Sequence, residues 1–161
     1  MAVEPAALAW RSLHLADAFI CDELNASLAA EAGCSLTEHD LMAWLAAAPD
    51  RRLRMADLAA RLRISPGGLT RVADRLTTRG WVERGRQPGN RREVYLALTE
   101  TGTRAFRVAR AVHSRVLRDA LNLDEQDLGT LAAIAGRLLG RLADGRALYQ
   151  LTDQAQAAGD G

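Results

Sequence analysis

Twelve arginines lie between Arg51 and Arg92 against three acids, Asp57, Asp74 and Glu83, a local charge of +9 in a chain whose net charge is only +1. Guanidinium groups at that density neutralise a polyanion and, where two N–H groups align with a base edge, read it. The remainder of the chain carries nine arginines and seventeen acids, a balance of −8. A basic centre flanked by acidic arms suits a nucleic-acid reader whose ends serve another purpose, such as pairing with a second copy.

Within the basic segment, Ser65 as N-cap, Pro66 at the first helical position and Gly80 past the end frame a helix from Ser65 to Arg79. Its inward stripe is Leu69, Val72, Ala73 and Leu76. Met55 to Leu62 has the spacing of a compact amphipathic helix, and two short helices joined by a three-residue turn make a helix-turn-helix. Ser65, Gly67, Gly68, Thr70, Arg71 and Arg75 lie off the apolar stripe, where a recognition helix presents side chains to the major groove. The two glycines cost helix stability, about 1 kcal/mol each relative to Ala, and let the first turn approach the phosphate backbone. Arg71 is predicted to contact guanine, Thr70 a base or phosphate, and Arg75 phosphate. The same residues would also make an ordinary solvated face; the hairpin that follows favours groove reading.

That hairpin is predicted from the strand composition of Trp81 to Gly85 and Glu93 to Leu98, with the polar Arg86 to Arg92, containing Pro88, Gly89 and Asn90, as its tip. Arg91 and Arg92 at the tip are placed to cross the phosphates into a neighbouring minor groove, while Arg84 and Arg86 add phosphate contacts. For Arg92, plain solubility chemistry is an equal reading.

Elements on either side must position this lobe. Ala6 to Ala30 repeats apolar residues at helical spacing and is stopped by Gly33. Thr37 is expected as the next N-cap, with Asp40 in a capping-box position and a helix running to Pro49. Arg52 to Arg54 reads as a short edge strand. Thr99 can cap a long helix to about Ala120, and Asp124 a last one from Glu125 to about Ala143. The expected organisation is mainly α: an N-terminal dimerisation helix over residues 1–36, a winged helix-turn-helix lobe over 37–98, C-terminal dimerisation helices over 99–147 and a disordered tail over 148–161. The outer helices carry more apolar surface than the small lobe needs, and pairing two chains as a homodimer covers it.

Several function classes are disfavoured. At 161 residues and 48% hydrophobic, the chain has room for one domain with a real core. No apolar run approaches the roughly 20 residues of a membrane span and no export signal opens the chain, so a cytoplasmic location is expected, with no membrane partner. Cys21 and Cys34 imply no disulfide scaffold. There is no phosphate loop, nucleophile elbow or H-E-x-x-H, so neither an enzyme nor a cofactor is expected. The rival to a DNA reader is a winged-helix protein-interaction module, which would leave the +9 segment unexplained.

The stretch M-A-D-L-A-A-R-L-R-I-S-P-G-G-L-T-R-V-A-D-R-L-T-T-R-G-W-V-E-R and the run R-R-E-V-Y-L-A-L-T-E-T-G resemble the MarR (multiple antibiotic resistance regulator) family of bacterial transcription factors, over about residues 6 to 145. The resemblance implies a homodimeric winged helix-turn-helix regulator, a ligand-responsive repressor or activator, that binds a pseudo-palindrome in double-stranded DNA. It also implies a small-molecule pocket between the dimerisation helices and the DNA-binding lobe. Trp10, His14, His39, Asp40 and Trp44 are candidates there; an aromatic wall with a few polar groups suits a planar phenolic or heteroaromatic acid. Members typically have Asp where this chain has Asn90, so the ionic brace on Arg91 is lost.

Some relatives sense metal, and Glu38, His39 and His113, with Cys34 nearby, resemble parts of such a site. His113 lacks an H-x3-H partner, and no metal is expected. Peroxide sensing is disfavoured because Asp22 and Glu23 beside Cys21 raise rather than lower a thiol pKa.

Overall fold

A computed structural model describes residues 4–87 and 90–142, with the side chains of 87, 90–92 and 142 left aside. Helix α1 (Pro5–Ala32) opens with the Glu4 carboxylate accepting the backbone N–H groups of Ala6 and Ala7, and it ends at Gly33, whose φ of 65° is the left-handed cap. Helix α2 (Leu36–Ala47) starts two residues earlier than a cap at Thr37 would give. Its N-cap is Ser35, and the reciprocal partner is Glu38 rather than Asp40. Both S-x-x-E and T-x-x-D were available; the Asn25 side chain on α1 accepts the Leu36 N–H and selects the earlier start.

A 3-10 turn (Pro49–Arg51) leads into strand β1 (Arg52–Arg54), helix α3 (Met55–Leu62) and helix α4 (Pro66–Thr78). Strands β2 (Val82–Gln87) and β3 (Asn90–Leu98) form the hairpin, and the three-stranded antiparallel sheet has the order β1-β3-β2. Pairing runs from Val82 opposite Leu98 to Gln87 opposite Asn90, with a register shift after Arg86. The strands thus continue into the stretch expected to be all tip.

Helix α5 (Glu100–Leu121) is capped by Thr99, whose hydroxyl accepts the Gly102 N–H and donates to the Gly80 carbonyl. The hairpin base sits so close that a Cβ at Gly102 would run into the Trp81 carbonyl oxygen. Helix α6 (Glu125–Leu142) follows. The expected disordered tail over 148–161 lies outside the described residues.

The core is one cluster running from Leu24 and Leu28 of α1 through Leu41, Met42 and Leu45 of α2, Leu58 of α3, Leu69 and Leu76 of α4, and Leu96 of β3 to Ala109, Val112 and Val116 of α5. Large hydrophobic side chains left exposed lie elsewhere: Leu8, Trp10, Leu13, Leu15 and Phe19 on α1, Val108 on α5, Leu123, and five residues of α6. Among the described residues none of them falls between residues 36 and 98.

Candidate nucleic-acid interface

The turn between α3 and α4 is made by Arg63, in the left-handed conformation at φ 53°, and closed by the Ile64 N–H donating to the Ala59 carbonyl at 3.1 Å. Ser65 caps α4 by accepting the Gly68 N–H at 3.1 Å. Gly67 faces open space, whereas a Cβ at Gly68 would press on the Ser65 hydroxyl. Absence of a side chain at Gly67 therefore leaves the first turn bare for close approach to a backbone. The apolar stripe Leu69, Val72, Ala73 and Leu76 is buried, and Ser65, Gly67, Thr70, Arg71 and Arg75 are exposed, with Gly68 half-buried. Thr70 donates its hydroxyl to the Pro66 carbonyl at 2.9 Å, which leaves the oxygen free to accept.

The arginines of the basic segment divide into two kinds. Arg63, Arg71 and Arg86 are exposed and have no side-chain ion-pair or hydrogen-bond partner among the described residues. Others are already engaged. Arg84 meets Asp74 at 2.7 Å, and Arg54 meets Asp57 and Glu93 at 3.4 and 3.2 Å. Arg52 and Arg61 lie over the rings of Tyr95 and Trp44. Arg75, expected on phosphate, donates its Nε to the Glu38 carboxylate at 2.8 Å. A cleft of about 580 Å³ between α4 and the hairpin is lined by Thr70 of α4, Arg84 and Arg86 of β2, Glu93 of β3 and Arg54 of β1. Asn90, Arg91 and Arg92 fall on β3, but their side chains lie outside the described residues, so the wing-tip contacts stand as expectations.

Glu38 is the residue whose role the sequence reading missed. Its side chain is 3% exposed, accepts the Ser35 backbone N–H at 2.9 Å and pairs with Arg75 and, at 3.6 Å, Arg79. Burial alone would raise its pKa, but the Ser35 N–H and the two guanidinium groups outweigh burial and hold it below the ordinary glutamate value. The S-L-T-E capping box at Ser35 was the available signal.

The residues proposed for an effector fall into three local groups. Trp10 stacks on His14 at 5.8 Å on the exposed face of α1. Trp44 lies under Arg61. His39, buried on α2, pairs through Nδ1 with Asp40 at 3.0 Å and stacks on His113 of α5 at 4.2 Å, with Phe106 at 5.6 Å. His39 Nε2 is buried without a partner among the described residues. Donor atoms of His39, Asp40 and His113 lie within 4.8 Å of one another, and Glu38 and Cys34 are not among that set. Burial and then the neighbouring His39 ring hold His113 below the usual imidazole value. Burial followed by Glu38 pushes the Cys34 thiol up to about 11, and burial followed by Asp17 raises Cys21, so neither is poised as a thiolate.

Among the described residues no helix is long and apolar enough to cross a membrane. Residues 32–93, from the end of α1 into the second strand of the hairpin, match the model of the MarR family. The chain is 34% identical over 93 residues to the transcriptional repressor MprA of Escherichia coli, a match covering 56% of this chain and 52% of MprA, so it spans about half of that relative. Among solved structures, Sco3205, a MarR family transcriptional regulator from Streptomyces coelicolor in complex with DNA, superposes with a TM-score of 0.80 at 29% identity, covering 89% of this chain and 94% of that one. A mutant MarR from E. coli complexed with operator DNA shares the fold at a TM-score of 0.70 and 24% identity, over 80% of this chain and 91% of that one.

Proposed function

We propose that this chain, which matches the MarR family model over residues 32–93 and superposes on Sco3205, is a MarR-type sequence-specific DNA-binding transcriptional regulator, a ligand-responsive repressor, acting as a homodimer on a pseudo-palindromic operator. The observation that carries the reading is the exposed N-terminal half of α4, where unpartnered Arg71 stands beside Thr70 and an open Gly67, next to the α4–hairpin cleft bearing Arg86. A helix presented this way enters a major groove with its first turns on base edges, and Arg71 is the side chain suited to guanine O6 and N7. Arg84 and Arg86 flank it as phosphate contacts, with Arg91 and Arg92 of the wing beyond.

Two such helices must enter the duplex about 34 Å apart to meet successive major grooves. The exposed apolar faces of α1 and α6 support a pairing surface outside the reading lobe. An aromatic or phenolic acid bound near His39 and Asp40, at the junction of α2 with α5, would favour a different spacing of the two heads and weaken operator affinity without touching DNA. What supports this part of the reading is that His39 stacks on His113 and lies against Phe106, with Asp40 at its Nδ1.

The test is enrichment from a random-sequence duplex pool followed by affinity against salt. Selective enrichment and a log-log slope of several units, about −0.9 per phosphate neutralised, are expected. A flat slope with no selected sequence overturns the reading and favours a protein-interaction module.

A further inference from the structure

The C-terminal half of the recognition helix is tied to the rest of the molecule by the exposed Asp74–Arg84 pair to β2 and by a buried carboxylate on α2. Glu38, buried on α2, holds Arg75 of α4 at 2.8 Å and Arg79, the C-cap residue four positions on, at 3.6 Å. Arg79 also donates to the Gly33 carbonyl at 2.7 Å and lies over the Trp81 ring at 5.0 Å. The Glu38 carboxylate in turn takes the Ser35 N–H, so the anchor is the corner where α1 ends and α2 begins. Asn25 braces that corner from inside α1 through the Leu36 N–H and the Cys21 carbonyl.

The apolar stripe of α4 sets how far the helix sits from the core, but apolar contact is non-directional and leaves rotation about the helix axis weakly determined. A charge-assisted bond between two defined atoms is directional. Arg75 stands four residues after Arg71, on the same face of α4, so whatever fixes the roll of the helix at Arg75 also aims Arg71. At a reach of roughly 8 Å from the axis, a roll of about 20° displaces a guanidinium by about 3 Å, enough to lose a bidentate base contact.

We infer that Glu38 is a positioning residue for DNA reading: through Arg75 and Arg79 it sets the roll of the recognition helix relative to α1, and it holds these two arginines in structural use rather than on phosphate. The inference rests on the proposed function and adds an assignment to it. Glu38 touches no DNA, and Arg75 belongs to the scaffold of the interface.

The experiment compares the full-length chain with Glu38→Gln, Arg75→Gln and the double variant. Each is titrated with the duplex most enriched by the unsubstituted protein and with a scrambled duplex of the same length, across a range of salt. Either single substitution is expected to lower the ratio of selected to scrambled affinity by about tenfold, and the double variant by no more than either single one. For Arg75→Gln, scrambled-duplex affinity should stay within about twofold and the salt slope within about half a unit, because no phosphate contact is lost.

Arg75→Gln leaves the Ser35 capping box intact and carries the same test if Glu38→Gln melts at the assay temperature. An unchanged affinity ratio in both variants overturns the inference. So does a uniform loss on both duplexes with the slope reduced by about one unit, which would make Arg75 a phosphate contact. If the unsubstituted chain itself selects no sequence, the proposed function fails first, and the two failures are thereby told apart.

Discussion

The lobe from α2 to the hairpin and the outer helices solve the same problem of apolar surface in opposite ways. Between residues 36 and 98 the large hydrophobic side chains turn into a shared core, with Leu41, Leu45, Leu58, Leu76 and Leu96 fully buried. On the N-terminal half of α1 and along α6 they do not: Phe19 is 70% exposed and Trp10 66%, and Leu128, Leu131, Ile134, Leu138 and Leu139 all face outward. A helix that shows an apolar stripe to water is complete only against another surface. The lobe is internally satisfied, and the outer helices leave an apolar face open to the pairing proposed above.

That contrast is broken most directly in the core. Leu76→Ala should cost about 2–5 kcal/mol in urea unfolding, while Phe19→Ala, measured where chains are dilute enough to be single, should stay within about 0.5 kcal/mol. Comparable costs at the two positions would mean that the α1 face is already packed within one chain. Gly102→Ala belongs with the core changes, since its methyl meets the Trp81 backbone where the hairpin joins α5.

Adding charge to the open face sharpens the other side. Phe19→Glu together with Leu131→Glu should leave the lobe folded by circular dichroism yet reduce the sedimenting mass at micromolar concentration from that of two chains to one. Operator affinity should then fall by more than about tenfold, because each half-site is bound alone.

Smaller effects separate free from engaged arginines inside the lobe. Arg71→Ala should cost about 1–3 kcal/mol on the selected duplex and relax preference at one base pair, whereas Arg84→Ala should weaken all duplexes alike. The Glu38 anchor adds a pH dependence whose sign follows from its depressed pKa. Its stabilising contribution is fully present above the ordinary glutamate value near 4.5 and is lost as pH falls below that value through the folded-state pKa. Acid unfolding of Glu38→Gln should therefore lack part of the decline seen in the unsubstituted chain below that pH. The smallest change is expected for Asp74→Asn: Asp74 and Arg84 are both more than a third exposed, so stability should move by less than about 0.5 kcal/mol. Released Arg84 should nevertheless steepen the salt slope.

Much of the fold was legible because its signals are local. Pro66 behind Ser65, Gly33 after α1 and Thr99 before α5 mark helix ends through hydrogen bonds that span three to five residues. The stripe on α4 was equally readable from helical period alone. The capping box of α2 was misplaced by two residues because two overlapping candidates were equal locally, and a contact from Asn25, eleven residues away, decided between them.

The recognition face and its Arg71 were likewise visible in the sequence, as was the excess of positive charge over residues 51–92. Which arginines remain available to DNA was not. Arg75 and Glu38 are 37 residues apart, and Arg54 and Glu93 are 39 apart. Charge can be counted along a chain, but pairing depends on distances of a few ångströms that exist only after folding, when burial of one carboxylate makes it the fixed partner of a particular guanidinium.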